Sequence, residues 1–157
     1  MGEFFGSLYC ALFEDWFGNE LAEYLWGNAS PQQTTNMFVG IGACMLIISL
    51  FIMWLYYYII DSPKLNNLLG WLIFLVINAV INFIIGLQWV LRDLCAGKMV
   101  NENFEPLAID ESNCLCFGGT NMILSIIAFL IFTVIFKCLI FKLWPSRNCS
   151  KAPFSLK

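Results

Sequence analysis

The sequence predicts an all-α fold, an integral membrane helical bundle with three transmembrane helices and an N-terminal amphipathic helix. Two observations lead there. Apolar residues make up 60% of the 157 and charged residues 12%, against roughly 45–50% and about 25% in soluble domains. A chain this small has too much surface per volume to hide that excess in a water-soluble core. The apolar residues are also gathered into three long runs, 37–60, 68–91 and 121–144. As a helix rising about 1.5 Å per residue, each run reaches roughly 36 Å. The hydrocarbon core of a bilayer is roughly 30 Å thick, so each run can cross it with some tilt. A spanning segment must satisfy its own backbone, which a helix does. A barrel would need short alternating strands, and these runs do not alternate.

The segment 1–36 reads differently from the spans. Phe4, Phe5, Leu8, Tyr9, Leu12, Phe13, Trp16, Phe17, Leu21, Tyr24 and Leu25 recur with helical period. Glu14, Asp15, Glu20 and Glu23 interrupt them. An acid at bilayer depth costs on the order of 2.5–3.5 kcal/mol, so four of them argue against a fourth span. The expectation is one helix lying in the interface or folded against protein. Its polar face is acidic, unlike most lipid-binding helices, which favours packing on protein, including a neighbouring subunit. It lacks the basic start of a signal peptide.

The spans carry their own boundary marks. Trp54 and the run Tyr56, Tyr57, Tyr58 stand near the end of the first span. Trp71 and Trp89 bracket the second and Trp144 closes the third, all residue types that prefer the headgroup level. Asp61, Ser62, Pro63 and Lys64 form a turn that makes the first two spans a hairpin. The segment 92–119 is expected to be a polar, acidic loop, with Gly118, Gly119 and Thr120 as punctuation before the third span. A basic tail, 145–157, follows Trp144.

Charge sets the expected orientation. Five acids and no Lys or Arg precede residue 37, while Lys137, Lys142, Arg147, Lys151 and Lys157 follow residue 136 without an acid. The positive-inside rule then places the chain in the cell membrane as a multi-pass protein, N-terminus outside and C-terminus cytoplasmic. Cys10, Cys95, Cys114 and Cys116 would face an oxidising compartment, where disulfides form. They are disulfide candidates or free thiols. Cys44 and Cys138 read as apolar filler within spans.

The chemistry-bearing residues are few. There is no His, which removes the commonest general base and metal ligand. No metal-ligand spacing, phosphate loop or catalytic triad is found, so no enzyme and no cofactor is expected. Asn78 and Asn82 lie four residues apart in the second span, with Gly86 continuing their face. Two amides turned to lipid would be costly. They either bond between helices or line a pore, and in a symmetric oligomer they could do both. Lys137 either snorkels to the interface or attracts anions at a pore mouth. With Lys142, Arg147 and Lys151 it would form a basic cytoplasmic rim, open to anionic lipid or to a nucleotide or oligonucleotide.

Three function classes follow, of which a membrane enzyme or transporter subunit is the least supported, since no internal repeat is found. The first is an oligomeric channel or pore of about four or more copies, since three spans cannot enclose an aqueous path alone. In architecture alone, such compact chains resemble the membrane-permeabilising effectors of bacterial defence systems. The alternative is a non-conducting assembly or immunity-type protein that binds a partner through its N-terminal helix and the 92–119 segment. The lipid bilayer is a partner in all three, and the first requires a homo-oligomer.

Overall fold

The computed structural model describes residues 2–29, 34–60, 65, 67–101, 103–137 and 153. Its elements are α1 (Gly2–Phe17), α2 (Asn19–Trp26), α3 (Met37–Trp54), α4 (Leu68–Cys95) and α5 (Glu111–Ile135). A π-helical stretch, Leu55–Ile59, continues α3. No strand occurs among the described residues, only an isolated antiparallel bridge between Val100 and Pro106. Among the described residues three helices are long and apolar enough to cross a membrane: α3 with its continuation, α4 and α5.

Two boundaries differ from the sequence expectation, for one shared reason. The N-terminal segment is two helices, broken at Gly18, whose φ of 89° is left-handed. A Cβ at Gly18 would also lie 2.9 Å from Asn113 Nδ2. That amide donates to the Phe17 carbonyl at 2.8 Å and so closes the end of α1. Asn113 Oδ1 accepts from the Asp110 backbone N–H at 3.1 Å. This side-chain bond back to Asp110 starts α5 at Glu111, ten residues before the apolar run. The connection between α4 and α5 is therefore 96–110, shorter than the 92–119 loop expected. Gly118, Gly119 and Thr120 lie inside α5. A Cβ at Gly118 would come 3.2 Å from Leu87 Cβ and from the Phe83 carbonyl oxygen, so this glycine permits close packing and does not break the helix.

Three further helix ends are closed by side chains or by backbone. Asn36 Oδ1 accepts from the Phe38 N–H at 3.0 Å, and Asn67 Oδ1 from the Gly70 N–H at 2.8 Å, which caps α3 and α4. At the end of α4, Gly97 N–H reaches the Leu94 carbonyl and Lys98 N–H the Asp93 carbonyl.

Each long helix buries every fourth residue along one row. On α3 the row is Ile41, Met45, Ser49 and Met53, continued by Tyr57 in the π-helical stretch. On α4 it is Phe74, Asn78, Asn82, Gly86 and Val90. On α5 it is Phe117, Asn121, Ser125, Phe129 and Thr133, with Lys137 next in the row. The exposed positions in the middle of these helices are Ile, Leu, Phe, Val and Trp. The polar residues of these helices thus point inward among apolar ones, and the outward positions are apolar too, unlike the polar outer face of a soluble bundle.

The chain forms two compact units, Met1–Cys44 with Asn82–Met122, and Met45–Ile81 with Ile123–Lys157. The first contains α1 and α2. There Tyr9 stacks on Phe117, with ring centroids 5.6 Å apart, and Phe17 meets Phe117 edge-on at 5.5 Å. The N-terminal helix thus packs on its own chain. The core of the second unit is Ile52, Met53, Tyr56, Tyr57, Trp71, Phe74, Phe129 and Phe136.

Candidate functional site

The first unit holds a buried polar chain that starts on α1. The Tyr9 hydroxyl donates to Asn121 Oδ1, and Asn121 Nδ2 donates to the Asn82 carbonyl oxygen at 2.7 Å. Tyr9, Asn82 and Asn121 are all fully buried. Gly86 explains how the amide gets in. A Cβ there would lie 2.9 Å from Asn121 Cβ and 3.0 Å from Asn121 Nδ2. The carbonyl of Asn82 points one helical turn on, toward Gly86, and only a glycine leaves it open to a second donor. Burial pushes the Tyr9 hydroxyl well above the usual phenol range, so it is a neutral donor at ordinary pH.

The second unit places Asn78. Its Nδ2 donates to the Ser125 carbonyl oxygen at 3.1 Å. Nearby in that unit the Trp71 indole N–H donates to Thr133 Oγ1 at 3.1 Å, and that hydroxyl donates to the Phe129 carbonyl at 2.9 Å. Asn78, Asn82 and Gly86 therefore sit inside the protein, Asn78 bonding through its side-chain amide and Asn82 accepting through its main-chain carbonyl. Lys137 is 1% exposed. It lies four residues after Thr133, two positions past the end of α5 and in line with that helix's buried row. Lys142, Arg147 and Lys151 lie outside the described residues, and Cys138 with them.

Of the two alternatives for the cysteines, disulfide or free thiol, the structure has the second among the described residues. Cys10, Cys95, Cys114 and Cys116 are free thiols, as is Cys44. Because α5 begins at Glu111, Cys114 is held on a helix with no exposed surface, while Cys95 at the end of α4 is exposed. Cys116, two positions along, turns about 200° away from Cys114. Burial raises the Cys10 thiol, a hydrogen bond from Trp26 opposes this and Glu14 adds to it.

One open pocket, about 590 Å³, carries charge. Met37, Ile85, Gln88, Trp89, Arg92, Asp93 and Lys98 line it, all in the first unit. Lys98 Nζ pairs with Asp93 Oδ1 at 3.0 Å, and the Tyr24 hydroxyl donates to Asp93 Oδ2 at 3.3 Å. Burial first, and the Asp93 charge second, push the Tyr24 hydroxyl up to about 12. The ammonium of Lys98 is half exposed, so the pair is worth little by itself. It does offset the carboxylate. Arg92 is exposed and has no partner among the described residues. The first unit's outer face is acidic elsewhere, with Glu3, Asp15, Glu20 and Glu23 exposed on α1 and α2. Glu20 Oε2 accepts from the Ala108 N–H at 2.6 Å and ties the 96–110 connection to α2.

This pocket was not singled out from the sequence. Its signal was the Arg92–Asp93 pair, which follows an apolar run and precedes Lys98 by one helical turn and a glycine. Asn121 and Tyr9 were missed too. Asn121 stood at the head of a predicted span, where a polar residue reads as a boundary. Among the described residues no cluster of three His, Cys, Asp or Glu could hold a metal ion. No known protein family, characterised protein or solved structure matches the chain.

Proposed function

We propose that this chain is an integral membrane protein of three spans that serves as a non-conducting assembly component, with its partner surface on the first unit. One observation carries the reading. The polar side chains of the long helices, among them Asn78, Asn82, Asn121, Ser125 and Thr133, are buried within the chain, and their central exposed positions are apolar. Copies packed through those faces would line any path between them with Ile47, Phe51, Val76, Val80, Ile127 and Ile131. A path walled by such residues dewets and does not pass ions readily. The pore reading would need the Asn78 side chain to leave the Ser125 carbonyl, and both Asn78 and Asn82 to leave their buried positions.

The first unit supplies the partner surface. Phe4, Leu12 and Trp16 are exposed along one side of α1, and Phe104 is exposed in the 96–110 connection. Exposed acids surround them. Large apolar anchors within an acidic field suit a partner whose surface is basic and apolar. By the charge rule this surface lies outside the cell membrane and the tail inside.

The test is reconstitution of the purified full chain into planar bilayers. Absence of current across pH, with sedimentation as a small, non-ring species in detergent, is the expected result. Current that changes in Asn78→Leu or Asn82→Leu would restore the channel reading. Orientation is checked with Ser112→Cys and Ser155→Cys, each in a cysteine-free background, which should label from opposite sides.

A further inference from the structure

The charged pocket of the first unit lies where α4 changes character. Val80 and Ile84 are exposed and apolar, and then Gln88, Trp89 and Arg92 are exposed in the next turns. Tryptophan prefers the headgroup level of a bilayer. Arg92 is one helical turn beyond Trp89, about 4.5 Å further toward water. The pocket wall divides in the same way: Met37, Ile85 and Trp89 are apolar or amphipathic, and Gln88, Arg92, Asp93 and Lys98 are polar.

The electrostatics favour an anion. Arg92 and Lys98 against Asp93 leave the pocket with one net positive charge (2 − 1 = 1). The Asp93 carboxylate is engaged by Lys98 and by the Tyr24 hydroxyl, so it is the least available of the three charges. Arg92 is the most available, being exposed and without a partner among the described residues. Met37, the first residue of α3, lines the same pocket, and the start of a helix carries partial positive charge. At the end of α4 the carbonyls of Asp93 and Leu94, which would repel an anion, are already capped by the Lys98 and Gly97 N–H groups.

We propose that this pocket binds a phosphate group, that of an anionic membrane phospholipid. The guanidinium of Arg92 takes two phosphate oxygens in a forked contact. Gln88 and Lys98 complete the polar side, while Met37, Ile85 and Trp89 receive the glycerol and the upper acyl chain. The volume of about 590 Å³ suits a headgroup with its glycerol. The inference rests on the membrane reading of the chain and goes beyond the partner surface, which it does not use.

The full chain in neutral detergent is titrated with phosphatidylglycerol, with phosphatidylcholine and with soluble glycerol phosphate, and binding is read from tryptophan emission and thermal midpoint. Phosphatidylglycerol should bind about tenfold tighter than phosphatidylcholine, and Arg92→Gln should lose about that factor, the loss expected of one charge-assisted contact. Arg92→Lys should recover part of it, because it keeps the charge and loses the fork. Equal binding of both lipids overturns the proposal, as does Arg92→Gln binding like the parent. Glycerol phosphate binding as tightly as the lipid would overturn the lipid as the source of the phosphate. An Arg92→Gln chain with an unchanged midpoint in lipid-free detergent shows that folding is intact. Release of the parent chain from membranes by alkaline carbonate would sink the membrane reading instead, and so separates the two failures.

Discussion

Replacing Asn121 by Leu removes the amide that joins α1 to α4. Two contacts go at once. The Asn82 carbonyl loses its second donor, worth roughly 0.6 kcal/mol by the average for interhelical bonds in membranes. The Tyr9 hydroxyl, fully buried, loses its acceptor and is left stranded at a cost of about 1–3 kcal/mol. The sum is about 2–4 kcal/mol. Tyr9→Phe in the same background removes the stranded hydroxyl, so the double variant should be more stable than Asn121→Leu alone. A coupling of about 1–2 kcal/mol is expected, within the range for residues in one hydrogen-bond network. The assay is reversible unfolding in mixed micelles, followed by circular dichroism, for the parent chain, the two single variants and the double variant. If Asn121→Leu stays within about 0.5 kcal/mol of the parent, the buried chain is not holding the unit together. If adding Tyr9→Phe makes Asn121→Leu worse, the stranded hydroxyl is not the source of the cost.

Further outcomes follow from the same contacts. Gly86→Leu should destabilise by about 1–3 kcal/mol through overpacking, despite a helix-propensity gain, because its Cβ meets Asn121; a chain also carrying Asn121→Ala should tolerate it better. Asn113→Ala should cost about 1–2 kcal/mol and speed proteolysis near Gly18, because one side chain closes α1 and caps α5. A maleimide reagent should modify Cys95 quickly and Cys114 only on unfolding, and a reductant should leave the labelling of both unchanged. Alkaline titration at 295 nm should show Tyr24 ionising near 12 and not near the usual 10. Its folded pKa is raised, so the stabilisation is complete below pH 10 and is lost as pH rises from 10 through 12. Asp93→Asn should bring the Tyr24 transition down toward 10 without erasing the shift, since burial is its larger cause.

The three long helices were legible because their apolar runs are continuous and bounded. The acids of the N-terminal segment correctly spoke against another span as long and apolar as these. The start of α5 was not legible from hydropathy. The stretch from Glu111 to Thr120 is polar enough to look like a loop, and its helix depends on a cap whose second partner, the Phe17 carbonyl, is 96 residues away. The break at Gly18 depends on the same contact. Asn78, Asn82 and Gly86 stood out as a row from their spacing alone. Their donors and acceptors did not, since Ser125 and Asn121 lie on another helix and a carbonyl acceptor leaves no mark in the sequence. The pocket was harder still, because its carboxylate, its ammonium and the tyrosine that bonds the carboxylate come from α4, the connection after it and α2.

The burial of polar rows bears on what the chain can be asked to do. A side chain amide in an apolar environment must find partners, and it finds them either in water or in protein. In this chain Asn78 and Asn121 each reach a backbone carbonyl, an acceptor fixed by its own helix, with 3.1 and 2.7 Å between the atoms. Such contacts define which face of each helix meets the next, because rotating a helix by one residue, about 100°, would carry the amide off its carbonyl and expose it. The row therefore sets register, and the apolar exterior is free to meet lipid or another helix without penalty. A conducting wall would need the same amides for a second task, on the opposite side of the helix. Gly86 bears on the two uses, since its missing Cβ makes room for the Asn121 contact. Filling that position separates the alternatives, since register is lost when Gly86 is enlarged, whereas a lining residue of the same size could change without loosening the bundle.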